Sequence, residues 1–271
     1  MDIDKFLEVA VIAAKEAGDH AHQFQKSDLV IQTKSNEMDL VTQVDKDNED
    51  MIRARVLSTF EGHVCLGEER GGTDEICDVR WVIDPIDGTV NYAHGLPIWC
   101  VSIGVEVKGI VECGVIYNPN LNEVFTAIRG KGAFLNGAPI SVSRSSDPTK
   151  SLFVTGFPYH VDKNPGRVIE QFTAFLSKGL LVRRLGSAAL DLAYVACGRF
   201  DGFWEAYLSP WDTAAGQLLV REAGGRVTHY DGEDYNIHKK SIIATNGVLH
   251  DMIFSIIQES ARKFDTSQAT S

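Results

Sequence analysis

The chain has 271 residues and a formal net charge of −11, from 26 Lys+Arg against 37 Asp+Glu. With 24 glycines and only 8 prolines it is neither disordered nor collagen-like, and it is long enough to bury a large core. No run approaches the roughly 18 consecutive apolar residues of a membrane span, and the acidity argues against a broad basic surface, so neither a membrane nor a nucleic-acid partner is expected.

The start, Met1-Asp-Ile-Asp-Lys-Phe6, is acidic rather than basic, which argues against a secretory signal. The cysteines Cys65, Cys77, Cys100, Cys113 and Cys197 are odd in number and form no C-x-x-C pair. Together these features predict a reducing, cytoplasmic setting with neither a disulfide framework nor a zinc site.

In chain order, Ile3, Phe6, Leu7, Ala10, Ala14 and Ala17 share one helical face, and Gly18 is placed to stop that helix. Leu40-Val-Thr-Gln-Val44 reads as a short extended piece or a helix entry. A second helix is expected over 48–60, with Met51, Ile52, Val56 and Phe60 on its buried side. Trp81-Val-Ile-Asp84 reads as a buried strand ending in an acid.

Val101, Ile103, Val105 and Val107 alternate with polar or small residues, and Lys108-Gly109 then turns the chain into 110–117 as a hairpin. Asn118-Pro119, Gly130-Lys-Gly132 and Asn136-Gly137 punctuate further strands of an antiparallel meander.

After residue 150 strands and helices alternate. Phe153-Val-Thr155 suggests a strand, and Val168, Ile169, Phe172, Phe175 and Leu176 mark a helix. An apolar helix over 188–197 is stopped by Gly198. Residues 211–225 read as one helix with Asp212 near its start and a glycine cap. Leu249, Met252, Ile253, Ile256 and Ile257 mark the last helix. No repeat and no linker divides the chain, so one compact α/β unit, or two tightly fused halves, is expected.

The phosphate loop G-x-x-x-x-G-K-[ST], the G-x-S-x-G elbow and the H-E-x-x-H helix are all absent. What stands out is carboxylates at the ends of elements. In Trp81-Val-Ile-Asp84-Pro85-Ile86-Asp87-Gly88-Thr89, Pro85 and Gly88 shape a turn that lets Asp84 and Asp87 face one point, with the Ile86 carbonyl between them. Carboxylates and a carbonyl are hard oxygen donors suited to Mg²⁺. Free N–H groups at Gly88 and Thr89, where a helix would begin, suit a phosphate. Glu68-Glu69 closes another apolar run, and Asp212 follows Trp211 at a helix start. Taken singly, each of these acids is as consistent with an ordinary turn, an exposed loop or a helix cap.

Together the segments resemble the inositol monophosphatase family of metal-dependent, lithium-sensitive phosphatases over nearly the whole chain. The resemblance is carried by Trp81-Val-Ile-Asp-Pro-Ile-Asp-Gly-Thr-Val-Asn-Tyr92, by Trp211-Asp-Thr-Ala-Ala-Gly216 and by Glu222-Ala-Gly-Gly225. Gly67-Glu68-Glu69, Asp39-Leu-Val-Thr-Gln-Val-Asp45 and Gly132-Ala-Phe-Leu-Asn-Gly137 fit in order as well. The resemblance implies a layered αβαβα sandwich, an α/β fold of one domain over 1–262 with a polar tail over 263–271, usually as a homodimer.

The resemblance also implies two to three Mg²⁺ ions per subunit. Glu68, Asp84 and the Ile86 carbonyl would hold the first, and Asp84, Asp87 and Asp212 the second, with Glu68 reaching a third through water. Glu68 and Thr89 would activate the attacking water, and the Gly88 and Thr89 amides would bind the phosphate. Asp87 and Asp212 border the substrate in this scheme, and Gly186, Ser187, Ala188 and Glu205 touch the inositol hydroxyls. Lys34 and Asp45 match a mobile loop and an acid beside the site.

The implied activity is hydrolysis of inositol-1-phosphate, a small phosphate monoester. The alternatives are fructose-1,6-bisphosphate, histidinol phosphate or a 3′-phosphoadenosine nucleotide as substrate, or a non-catalytic role through protein partners. Val90 stands where the family often repeats Thr. Ser209-Pro210 and Thr155-Gly-Phe-Pro-Tyr159 look more like bacterial members. A structural role is expected for His94, surface or interface pairs rather than contact with a second phosphate for Arg183-Arg184, and a hairpin turn for Gly130-Lys-Gly132.

Overall fold

A computed structural model describes residues 1–25, 31–33, 40–73, 77–164 and 167–268. Lys34 and Asp39 lie outside the described residues. The first elements are α1 (Ile3–Phe24), β1 (Ile31–Thr33), β2 (Leu40–Thr42), α2 (Gln43–Thr59), β3 (Val64–Gly67), β4 (Val79–Asp87) and α3 (Thr89–Ala93). The meander follows as β5 (Cys100–Val107), β6 (Ile110–Asn118), β7 (Glu123–Ile128), β8 (Gly132–Leu135) and β9 (Ala138–Pro139). The rest comprises β10 (Leu152–Thr155), α4 (Val168–Ser177), β11 (Leu181–Arg183), α5 (Ala188–Ala196), β12 (Gly202–Ala206), α6 (Pro210–Glu222), β13 (Arg226–Thr228), β14 (Ser241–Thr245) and α7 (His250–Gln268). Helix α7 thus continues into the stretch that reads as a polar tail.

Apart from the antiparallel pair β1–β2, two sheets organise these elements into the layered α/β sandwich. Strands β3 to β9 form a seven-stranded sheet in chain order, and the second sheet has the order β11-β10-β12-β14-β13. The meander is antiparallel from β4 onward, whereas β3 runs parallel to β4. The second sheet is mixed, with β10 parallel to both β11 and β12 and β14 antiparallel to its neighbours.

Helices α1 and α2 cover one face of the large sheet, burying Phe6, Ile52 and Val56 against Trp81 and Ile103. Helices α5 and α6 fill the layer between the sheets. Helices α4 and α7 cover the far face, around Phe153, Phe175 and Ile253. Among the described residues no helix is long and apolar enough to cross a membrane, and all five cysteines are free.

Local chemistry explains the element ends. Asp2 caps α1 by accepting from the Lys5 amide at 3.0 Å. The β5–β6 loop is Lys108-Gly109 with φ of 49° and 84°, the left-handed pair that a two-residue hairpin needs.

Expectations for three of the helices need correction. Met51 is 38% exposed and does not share the buried side of α2. In α4, Ile169 and Leu176 are 47% and 49% exposed, because the inner face is Val168, Gln171 and Phe175. Gly18 does not end α1; the helix runs six residues further, to Phe24. A Cβ at Gly18 would lie 2.6 Å from Cδ1 of Tyr117, so this glycine lets the helix approach β6 closely.

Gly18→Ala is accordingly expected to lower the melting temperature. Alanine gains about 1 kcal/mol in helix propensity, but driving a methyl into a packed aromatic ring costs about 1–3 kcal/mol. Thermal unfolding of the variant decides the sign, and a rise would show that the ring yields.

Candidate active site

The site grows out of β4. The strand does not end at Asp84. Asp84 pairs with Ser102 and Asp87 with Cys100, so one extra residue is inserted between them on the β4 side. Pro85 lies in this bulge, where the missing N–H breaks no ladder bond. The Asp84 carboxylate accepts from the Ile86 amide at 3.1 Å. Gly88 then takes φ 97°, where a Cβ would meet the Ile98 carbonyl at 3.0 Å, and α3 begins at Thr89.

Asp87 ends β4, while Asp212 and Asp45 are delivered by α6 and α2. Helix α6 starts with a capping box in which the Ser209 amide donates to Asp212 at 2.7 Å. Gly104 and Gly114 let this helix lie against the large sheet, since Cβ atoms there would be 2.6 and 2.8 Å from Ala214 and Ala215. Asp87 anchors the start of α5, its Oδ2 accepting from Ser187 Oγ at 2.5 Å and the Ala189 amide at 2.8 Å. Thr89 Oγ1 shares its hydrogen between the buried Asp45 Oδ1 at 3.1 Å and the Ile86 carbonyl at 3.0 Å.

Carboxylate oxygens of Asp84, Asp87 and Asp212 all come within 4.8 Å of one another. Burial pushes the Asp87 and Asp212 carboxyls up; at Asp212 the charges of Asp87, Glu68 and Glu205 add to it, while the donors on Asp87 pull the other way. Such crowding of buried acids costs free energy unless a cation joins them. An all-oxygen set of this kind fits Mg²⁺.

The carboxylates open onto a cavity of about 980 Å³. Glu68, Ile86, Gly88 and Thr89 line it, as do Gly186, Ser187, Ala188 and Glu205. Glu205 on β12 is buried, and its carboxyl is pushed up to about 8, chiefly by burial, with Arg184 opposing and Asp87 adding to the shift. Gly156 makes room for it, because a Cβ there would fall 2.2 Å from the Glu205 oxygens.

Three further groups belong to this cavity. Arg184, expected in surface or interface pairs, lines it and lies 5.9 Å from the Phe157 ring centroid. His94, expected to be structural, follows α3 as its cap and also lines the cavity. Asp191 on α5 went unnoticed in the sequence. Its signal is a lone acid inside the apolar run Ala-Ala-Leu-Asp-Leu-Ala, where an acid has no reason to be buried without a partner.

Similarity to known proteins agrees with this geometry. A sequence profile of the inositol monophosphatase family matches residues 2–262. The chain belongs to that family. Inositol-1-monophosphatase of Synechocystis sp. is 42% identical over 250 residues, covering 92% of this chain and 87% of the relative. Nus factor SuhB of Escherichia coli K12 is 43% identical over 244 residues, covering 89% and 91%. The crystal structure of the extragenic suppressor protein suhB from Bartonella henselae superposes with a TM-score of 0.87 at 37% identity, covering 93% of this chain and 98% of that one. Membership in the inositol monophosphatase family supports phosphatase chemistry for this chain, and the family is Mg-dependent.

Proposed function

We propose that this protein is a Mg²⁺-dependent phosphomonoesterase that hydrolyses inositol-1-phosphate to inositol and phosphate. The observation that supports it most is the meeting of Asp84, Asp87 and Asp212 within 4.8 Å at one end of a cavity that Glu205 also lines. Glu68, Asp84 and the Ile86 carbonyl, and Asp84, Asp87 and Asp212, are the groups that would hold the ions. Bound Mg²⁺ supplies Lewis acidity, offsetting the charge that builds on the phosphoryl and leaving oxygens.

The chain's own groups do the rest. Gly88 and Thr89 present backbone N–H groups to the phosphate. The Thr89 hydroxyl donates to Asp45, so as it takes a proton from the attacking water its own proton passes to the Asp45 carboxylate. Glu68, which lines the same cavity, helps to hold and activate that water. Displacement is direct, with no covalent phosphoenzyme. Gly186, Ser187, Ala188 and Glu205 receive the inositol ring. The same reading includes a cytoplasmic homodimer with two to three ions per subunit. One observation favours a second role through a protein partner, namely that relatives at 43% identity carry the name Nus factor SuhB.

Phosphate release from inositol-1-phosphate, fructose-1,6-bisphosphate, histidinol phosphate and 3′-phosphoadenosine 5′-phosphate tests the proposal. Highest kcat/KM on inositol-1-phosphate is expected, with loss of activity on chelation and recovery on adding Mg²⁺. A preference for a bisphosphate would overturn the substrate, and full activity in chelator would overturn the mechanism.

A further inference from the structure

Asp191 lies in the first turn of α5, four residues beyond Ser187. Its residue is 1% exposed, it lines the cavity, and neither Oδ1 nor Oδ2 has a hydrogen-bond partner. The charged groups that bear on it are Glu205 and Asp87, which repel it, and Arg184, which attracts it. Burying a polar group without a partner costs about 1–3 kcal/mol, more if it is charged. Folded chains seldom keep such a group unless something outside the chain completes it. An apolar residue of the same size would suit the free protein better. The acid is therefore explained by a ligand rather than by the fold.

Nothing among the described residues groups Asp191 with further acids, as a metal ion of its own would require. The acids whose oxygens converge are Asp84, Asp87 and Asp212, and Asp191 stands outside the group. A second phosphate is not favoured either, because it would face the carboxyls of both Asp191 and Glu205, on which Arg184 but not the cavity's other cation, Lys163, acts. Two carboxyls side by side with Arg184 match a neutral partner rich in O–H donors.

We propose that Asp191 is a specificity-determining residue that accepts, together with Glu205, hydrogen bonds from hydroxyls on the alcohol part of the phosphate ester. This rests on the phosphomonoesterase reading and adds to it a second carboxyl that selects polyols. The side chain acts on binding of the leaving group and takes no part in the proton transfers at phosphorus.

The test compares wild type with Asp191→Asn and Asp191→Leu on inositol-1-phosphate, p-nitrophenyl phosphate and phosphoethanolamine. For Asp191→Asn the ratio of kcat/KM for inositol-1-phosphate to that for p-nitrophenyl phosphate is expected to fall about tenfold or more, mainly through KM. The melting temperature of the ligand-free variants should equal or exceed that of wild type. Inositol with inorganic phosphate should raise the melting temperature of wild type more than that of Asp191→Asn.

An unchanged ratio would overturn the proposal. So would equal losses on all substrates with a lowered melting temperature, which would assign Asp191 to the fold. A loss confined to phosphoethanolamine would overturn it in favour of an ammonium partner. If wild type hydrolyses none of the three esters, the phosphatase reading fails, and the inositol-induced shift alone then decides the role of Asp191.

Discussion

Replacing Asp87 with Asn is expected to lower kcat by at least about 10²-fold, the scale of removing one electrostatic group aimed at the reacting centre. The geometry makes this a clean substitution. Ser187 Oγ and the Ala189 amide both donate to Oδ2 of Asp87, and an Asn oxygen in that place keeps both bonds and the start of α5. What leaves is one negative charge from a cluster that also holds Asp84 and Asp212. In chelator the variant should melt at the same temperature as wild type or higher, because like charges crowded in a buried site oppose folding. Steady-state kinetics across a Mg²⁺ range and thermal melts measure the two effects. Wild-type turnover at saturating Mg²⁺ would exclude Asp87 from the site, and a strongly lowered melting temperature would make it a structural residue.

Glu205→Gln is expected to separate recognition from chemistry. Glu205 belongs to β12, where it pairs with Ile242 of β14, whereas Asp212 belongs to α6, so its loss leaves the three-aspartate group in place. Above about pH 8, where its carboxyl is ionised, Glu205 is a charged acceptor that contributes roughly 1.5–3 kcal/mol, which is about 10- to 150-fold in kcat/KM for inositol-1-phosphate relative to p-nitrophenyl phosphate. Equal losses on both esters would mean that Glu205 supports the metal group or the fold.

Stability carries an independent signature. The Glu205 carboxyl is raised from 4.5 to about 8 by burial first, and then by Asp87 against the pull of Arg184. Between those values the folded chain holds a proton that the unfolded chain has lost, so stability falls as pH rises from 4.5 to 8. Gln does not titrate. In metal-free buffer the melting temperature of Glu205→Gln relative to wild type should therefore climb across that window and level off above it. A constant difference would place the side chain in water.

The order of elements is written in local patterns, and those patterns are enough for the hairpin, the existence of the long helices and the acidic signature, though not for where each helix begins and ends or which face it buries. Alternation from Val101 to Val107 and the Lys108-Gly109 turn need no distant partner to specify β5 and β6, because turn geometry and side-chain period set the register. Asp84, Asp87 and Gly88 could be found in sequence for the same reason: their spacing is a local fact.

Only the tertiary structure decided what depends on a neighbour distant in the chain. Gly18 reads as a helix stop, yet it is a contact point for Tyr117, 99 residues away by the difference of their numbers. Met51, Ile169 and Leu176 have the hydrophobicity of core residues and the wrong angular position for the sheets that arrived. Asp45 reaches Thr89 across 44 residues. Arg184 and Asp191 flank Gly186 and Ser187, but their membership of the cavity follows from the packing of α5 between the sheets, beside β12 and its Glu205. Hydrophobic period and turn chemistry act over a few residues and so can be read from the chain. The proximity of two charges, or the room for one methyl group, is set by which surfaces meet once the layers have closed.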